Sequence, residues 1–240
     1  MMQPMRVPSA AVPTFVEVGT IRAAAEAAGL RLPDAVYGNV ASALNAGKHL
    51  LLTGGRGVGK TWLALAITRA AAQAGKARGA TVVTGAPALD LVVDAASRGR
   101  WVIVDELDQS DPDAALSPLS SFLAGVPVTI DGEEAAPADG WRIVATWNGE
   151  PPRAQILRRF ALVDVPPPAS EDLRRLLEQA ASGDQAAVGA AERLAETGFG
   201  TAVLLDAARH AAARNAVAPT DEPTLAREVF DAYAAPLQDP

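Results

Sequence analysis

Gly54-Gly55-Arg56-Gly57-Val58-Gly59-Lys60-Thr61 (GGRGVGKT) is the stretch on which the reading of this chain turns. Before it, His49–Thr53 (HLLLT) is a short apolar run of the kind that forms a buried strand. After it, Lys60 to about Ala74 reads as a helix. A glycine-rich turn between strand and helix lets backbone N–H groups converge on an anion. The helix N-terminus adds its partial positive charge. An ordinary turn needs neither the lysine nor the hydroxyl that closes this one. The spacing G-x-x-x-x-G-K-[ST] therefore predicts phosphate binding over Gly54, Gly55, Arg56, Gly57, Val58, Gly59, Lys60, Thr61 and Trp62. Lys60 would reach the β- and γ-phosphates, and the Thr61 hydroxyl would hold Mg²⁺. Trp62 falls in this stretch by position, while its bulk, like that of Trp101, suits packing in the core or at the sheet edge.

Working outward, Ala80–Thr84 (ATVVT) reads as a second strand. Trp101–Asp105 (WVIVD) is a third strand, ending in an acid that a second acid, Glu106, follows. Ligands of α/β sheets bind beyond the carboxyl ends of the strands, which places Asp105 where it can join Thr61 at the Mg²⁺ shell. Glu106 is then set to polarise an attacking water. Trp141-Arg142-Ile143-Val144-Ala145-Thr146-Trp147-Asn148 is another buried strand, and its terminal amide, Asn148, could orient that water. Leu157-Arg158-Arg159-Phe160 precedes the last strand, Ala161–Val165. Arg158 and Arg159 suit either a solvated helix corner or an arginine finger aimed at a neighbouring subunit's phosphates.

Strands that alternate with helices, each strand nearly all apolar, predict an α/β fold with a parallel sheet covered on both faces. The intervening helices are Ile21–Gly29, Pro33–Ala46, Lys60–Ala74, Pro87–Ser97 and Pro112–Leu123, and Val126–Ile130 is a further strand before an acidic loop, Asp131–Asp139. Residues 1–30 read as an N-terminal arm and short helix, and 31–168 as the nucleotide-binding α/β domain. Beyond the rigid Pro166–Pro168, residues 169–240 form an all-helical lid domain. Its helices are expected at Ser170–Ala181, Asp184–Glu196, Thr201–Ala213 and Glu222–Ala234.

Composition narrows the function. The chain has 240 residues, a formal net charge of −7 and no cysteine. The first excludes nothing globular; the last excludes disulfides and thiolate metal sites and fits the cytoplasm. An acidic chain gives no direct nucleic-acid signal, because such affinity comes mostly from neutralising phosphates. No apolar run approaches the ~20 residues of a membrane span. His49 and His210 are isolated from each other and do not form a metal site.

In this order, GGRGVGKT, WVIVDE, RIVATWN and LRRFALVDVPPP resemble the AAA+ ATPases, and most closely their MoxR/McrB-like (AAA_5, dynein-related) branch. GLRLPDAVYGNVASALNAGKHLLLTG is similar to that branch's lead-in to the phosphate loop, and ELDQSDPDAALSPLSSFLAGVPVTIDG to its stretch after the acidic strand. The resemblance implies a five-stranded α/β domain with a helical lid. It also implies ATP or GTP with Mg²⁺ at subunit interfaces, and self-assembly into a hexameric or other ring. Catalytic roles fall on Glu106, Asn148, Arg158 and Arg159. Two departures stand out. The branch's lid offers an arginine early in its third helix, whereas Thr197–Val203 has none and Arg209 follows a turn or two later. Thr84-Gly85-Ala86-Pro87 also lacks the aromatic with which threading motors grip polypeptide. The expected function is an oligomeric remodelling motor or chaperone acting on a separately encoded, unidentified protein partner. The alternatives are a GTP-using McrB-like subunit of a restriction or defence assembly, and a weakly hydrolysing, nucleotide-gated binding module.

Overall fold

Short apolar runs without polar interruption form inner strands, because both of their faces meet helices. In the computed structural model, which describes residues 15–130, 132–151 and 153–234, three such runs occupy the centre of one sheet. They are β1 (His49–Thr53), β3 (Trp101–Asp105) and β6 (Ile143–Thr146), buried along nearly their whole length. β2 (Ala80–Thr84) and β7 (Phe160–Asp164) are the more exposed edges. The order is β2-β3-β6-β1-β7, and every pairing is parallel. All five strands therefore end at the same edge, which receives the glycine-rich loop Gly54–Thr61, Asp105 and Asn148.

Helices α2 (Asp34–Asn45), α3 (Lys60–Gln73) and α4 (Leu89–Ser97) cover the sheet, and α1 (Val18–Ala27) packs on α3 and α2. α3 packs across β1, β3 and β6, which fixes the loop that opens it. One core extends from Val16 to Val165, and a second, from Leu177 to Val229, lies within the C-terminal helices. Those helices are α7 (Ser170–Ala180), α8 (Gln185–Ala195), α9 (Thr201–Val217) and α10 (Glu222–Val229). Asp184 caps α8, its Oδ1 accepting from the N–H groups of Ala186 and Ala187 at 3.0 and 3.1 Å. The same carboxyl accepts from Asn215 of α9 at 2.8 Å, and that bond, with the cap, holds it below the usual carboxylate range.

The parallel sheet, its covering helices and the helical C-terminal region follow the sequence reading; several details do not. The helix expected over Pro112–Leu123 is broken into α5 (Pro112–Leu116), a 3-10 turn (Ser117–Leu119) and α6 (Ser120–Leu123). Pro118 has no N–H to give to a continuous helix. Val128–Ile130 is a strand, β4, but it leaves the main sheet. It pairs antiparallel with β5 (Glu133–Ala135), inside the segment read as an acidic loop. β6 begins at Ile143 rather than Trp141. α9 runs on past Ala213 to Val217, because nothing breaks it before Pro219; Ala218, the residue before that proline, is extended. α10 ends at Val229 in a wide turn, Phe230–Ala234. The arm read over Met1–Thr14 and the last residues, 235–240, lie outside the described residues.

Candidate active site

The loop from β1 to α3 carries its lysine inward. Lys60 is only 6% exposed. Its ammonium donates to the carbonyl oxygens of Gly54 (3.0 Å) and Gly55 (2.5 Å) and to Asn148 Oδ1 (2.9 Å). Burial lowers its pKa, while Asp108, Asp105 and Glu106 pull the other way. Asn148, from beyond β6, is itself held. Its backbone N–H donates to Asp108 Oδ1 (3.1 Å), and its side-chain amide spans both oxygens of that carboxylate at 3.1 and 2.9 Å. The next residue, Gly149, donates its N–H to the Gly54 carbonyl at 3.0 Å, tying the end of β6 to the start of the loop. Gly59 closes the loop at φ +97, a left-handed conformation, and a Cβ there would lie 2.6 Å from Leu30.

A second chain of hydrogen bonds runs through Asp105. Its Oδ1 accepts from the hydroxyls of Thr61 (2.8 Å) and Thr146 (2.7 Å). Thr146 Oγ1 in turn accepts the backbone N–H of Glu106 at 2.8 Å. Glu106 has φ +52, a left-handed conformation that is costly for a residue with a Cβ. Thr146 is placed to hold it there, and the Gln109 side chain donates to Glu106 Oε2. Thr61 Oγ1 and Asp105 Oδ1 are hard oxygen donors from two elements. They fit Mg²⁺, which binds through one or two protein oxygens and takes its other ligands from phosphates and water. Among the described residues no cluster of three or more His, Asp or Glu offers a separate metal site.

Asp108 and Thr146 were not singled out from the sequence. Asp108 reads there as one more acid after Asp105-Glu106, and Thr146 as one residue of a buried strand. Their roles come from bonds between positions about forty residues apart, which the sequence alone does not reveal.

Arg158 and Arg159 do not join the site. They end a 3-10 turn, Ile156–Arg159, directly before β7, and β7 runs parallel to β1 with Phe160 opposite His49. They therefore lie at the opposite edge of the sheet, about 13 Å of strand away from the glycine-rich loop at ~3.3 Å per residue. Neither guanidinium is paired with a carboxylate among the described residues. Lys48 lies beside them, its ammonium donating to the Arg158 carbonyl at 3.4 Å.

The helical region closes over the loop through main-chain contact. The N–H of Ala202, in the first turn of α9, donates to the Gly57 carbonyl at 3.1 Å. A Cβ on Gly200 would come within 2.1 Å of the Arg56 carbonyl oxygen. Between the loop and these helices lies a cleft of about 710 Å³, lined by Leu30, Gly57–Gly59, Trp62, Leu176, Leu205 and Arg209 among others. The packing role read for Trp62 does not hold: its indole is 60% exposed at the rim of this cleft. Trp101 is buried, stacked on Phe15 with ring centroids 6.2 Å apart. Arg209 lines the cleft and pairs with Asp206 at 2.7 Å.

The architecture is a five-stranded parallel sheet with flanking helices and a helical C-terminal region. Structures with the same fold include RuvB of Thermotoga maritima, a Holliday junction branch migration motor. That structure superposes with a TM-score of 0.53 at 17% identity, over 91% of this chain and 70% of that one. One point mutant of the same protein gives 0.53 at 19% identity over 92% and 72%, and another 0.52 at 16% over 91% and 70%. The chain matches no protein-family model, and no curated protein matches it. Among the described residues no helix is long and apolar enough to cross a membrane.

Proposed function

We propose that this chain binds and hydrolyses ATP with Mg²⁺ and works as a ring of identical copies that remodels a partner protein. The observation that carries the reading is the meeting of two hydrogen-bonded chains at one sheet edge: Lys60–Asn148–Asp108 and Thr61–Asp105–Thr146–Glu106. In the first, Lys60 exchanges the loop carbonyls for the β- and γ-phosphates, and Asp108 keeps the Asn148 amide aimed at the attacking water. In the second, Asp105 and Thr61 would hold Mg²⁺, and Thr146 fixes the turn that presents Glu106. The Glu106 carboxylate takes a proton from the water as its oxygen attacks the γ-phosphorus and the bond to the β-phosphate oxygen breaks. Mg²⁺ held by Thr61 and Asp105 would supply charge neutralisation at the phosphate oxygens.

Arg158 and Arg159, set at the far edge, serve a neighbour's γ-phosphate better than their own. This is the support for a ring. Arg209 supplies the lid's cation from within the cleft. The acidic net charge supports a protein partner rather than nucleic acid. Placement in the MoxR/McrB-like branch rests on the sequence motifs. A second reading, a nucleotide-gated module that hydrolyses weakly, is favoured by one observation: the pairing of Arg209 with Asp206.

The test is turnover of ATP and of GTP by the purified chain across a wide dilution series, with Glu106→Gln in parallel. The motor reading expects specific activity to rise with protein concentration, and Glu106→Gln to bind nucleotide but scarcely turn it over. Binding without turnover at any concentration supports the gated module instead. Normal turnover by Glu106→Gln would place the base elsewhere.

A further inference from the structure

The chain has four tryptophans, and three of them, Trp101, Trp141 and Trp147, are buried. Trp62 alone stands out at 60% exposure, directly after the lysine and hydroxyl of the phosphate loop. A large apolar side chain in the open is informative when it borders a concave site. Trp62 borders two. One is the 710 Å³ cleft, where its neighbours are Gly57–Gly59 of the loop, Leu30 on the approach to α2, and Leu176 and Leu205 of the C-terminal helices. The other is a smaller groove of about 310 Å³ along α3, with Leu65, Ala66 and Arg69. The indole is thus a ridge between them, rooted on the first turn of the helix whose N-terminus would receive the phosphates. The cleft walls near the loop are apolar, and its polar side chains, Gln179, Thr201, Asp206 and Arg209, come from the C-terminal helices. A flat, mostly apolar slot with a few polar groups suits a nucleobase, apolar on its faces and polar at its edge.

Resting on the nucleotide reading above, we infer that Trp62 is the stacking platform for the base, and that it makes the site prefer purine over pyrimidine nucleotides. A stacking surface reads the area of the base rather than its hydrogen-bonding edge, so it favours adenine and guanine alike over uracil and cytosine. The phosphate loop cannot supply this preference, since its contacts stop at the phosphates.

The experiment compares the intact chain with Trp62→Ala and Trp62→Phe. Affinities are measured by calorimetry for ADP, GDP, UDP and inorganic tripolyphosphate, the last having phosphates and no base. Tryptophan fluorescence is followed in the same titrations. The expected result for Trp62→Ala is a loss of about tenfold in ADP and GDP affinity, within the range measured for base–aromatic stacking. Tripolyphosphate affinity stays unchanged, Trp62→Phe keeps most of the purine affinity, and the purine-over-uracil preference flattens. Purine nucleotides, unlike tripolyphosphate, should quench the fluorescence of the intact chain. If ADP binds and Trp62→Ala binds it equally well, stacking is overturned while the nucleotide site stands. If neither ADP nor tripolyphosphate binds the intact chain, the nucleotide reading fails and takes the base platform with it. Unchanged tripolyphosphate binding also shows that the variants are folded.

Discussion

Both imidazole nitrogens of His49 are engaged inside the fold. Nδ1 accepts the N–H of Ile143 at 2.9 Å, so the proton sits on Nε2, which donates to the Leu123 carbonyl at 3.1 Å. Burial holds its pKa down to about 4, and the nearby cations Arg142, Arg159 and Lys48 push the same way. The unfolded chain protonates this ring near 6.5, the native chain only near 4. Between those values the unfolded state binds the extra proton, so stability falls as pH is lowered through that window, by up to about 3 kcal/mol. His49→Leu removes that loss but leaves the Ile143 N–H and the Leu123 carbonyl without partners, each at a cost of about 1–3 kcal/mol. Denaturant unfolding of both proteins at pH 7.5, 6, 5 and 4 should show the variant less stable at pH 7.5, with the gap narrowing toward pH 4. A gap constant with pH would mean that His49 is protonated in the native state as readily as in the unfolded one. The turn Gly54–Thr61 between β1 and α3 was legible in the sequence because its residues are contiguous. His49, Asp108 and Thr146 were not, because each acts through a partner on another strand or turn.

At the scale of elements, α9 meets the glycine-rich loop between β1 and α3 backbone to backbone. Gly200 has ordinary extended dihedrals, so its glycine is required by space alone. Gly200→Ala must move the Arg56 carbonyl or the start of α9, an overpacking that costs about 1–3 kcal/mol. The Ala202-to-Gly57 hydrogen bond should break with it. Limited proteolysis over 166–169, between β7 and α7, should quicken in Gly200→Ala and not in Gly19→Ala, where a Cβ meets nothing within 4 Å. Equal rates would mean that the helices do not rest on the loop. The elements were well marked wherever an apolar run had a breaker at each end: the ranges of β1, β2 and β3 agree residue for residue with the sequence reading. They were poorly marked between Pro112 and Ala135. There Pro118 interrupts a helical pattern, and the hairpin joins a short apolar strand to an acidic one, leaving little periodicity to read.

For the whole molecule, the question is what completes the site. Arg158 and Arg159 lie across the sheet from their own phosphate loop, so a copy that lacks them should still bind nucleotide. Arg158→Ala and Arg159→Ala are both needed, and the one that removes the finger should cut turnover by ~10³ or more. Lys60→Ala should fail for the opposite reason, losing phosphate affinity while keeping its arginines. Mixing the finger variant with Lys60→Ala should restore part of the activity, since each supplies what the other lacks at a shared interface. Absence of rescue, with both variants folded, would leave a chain that works alone.

The docking of α9 has a consequence for how such a chain can vary. A contact made by main-chain atoms places almost no demand on side chains, so the sequence of the helical region can drift without loosening its hold on the loop. What must persist is a single missing methyl at Gly200 and an N–H at Ala202 to donate to the Gly57 carbonyl. Outside the side chains that line the cleft, the residues of that surface can change without undoing this contact.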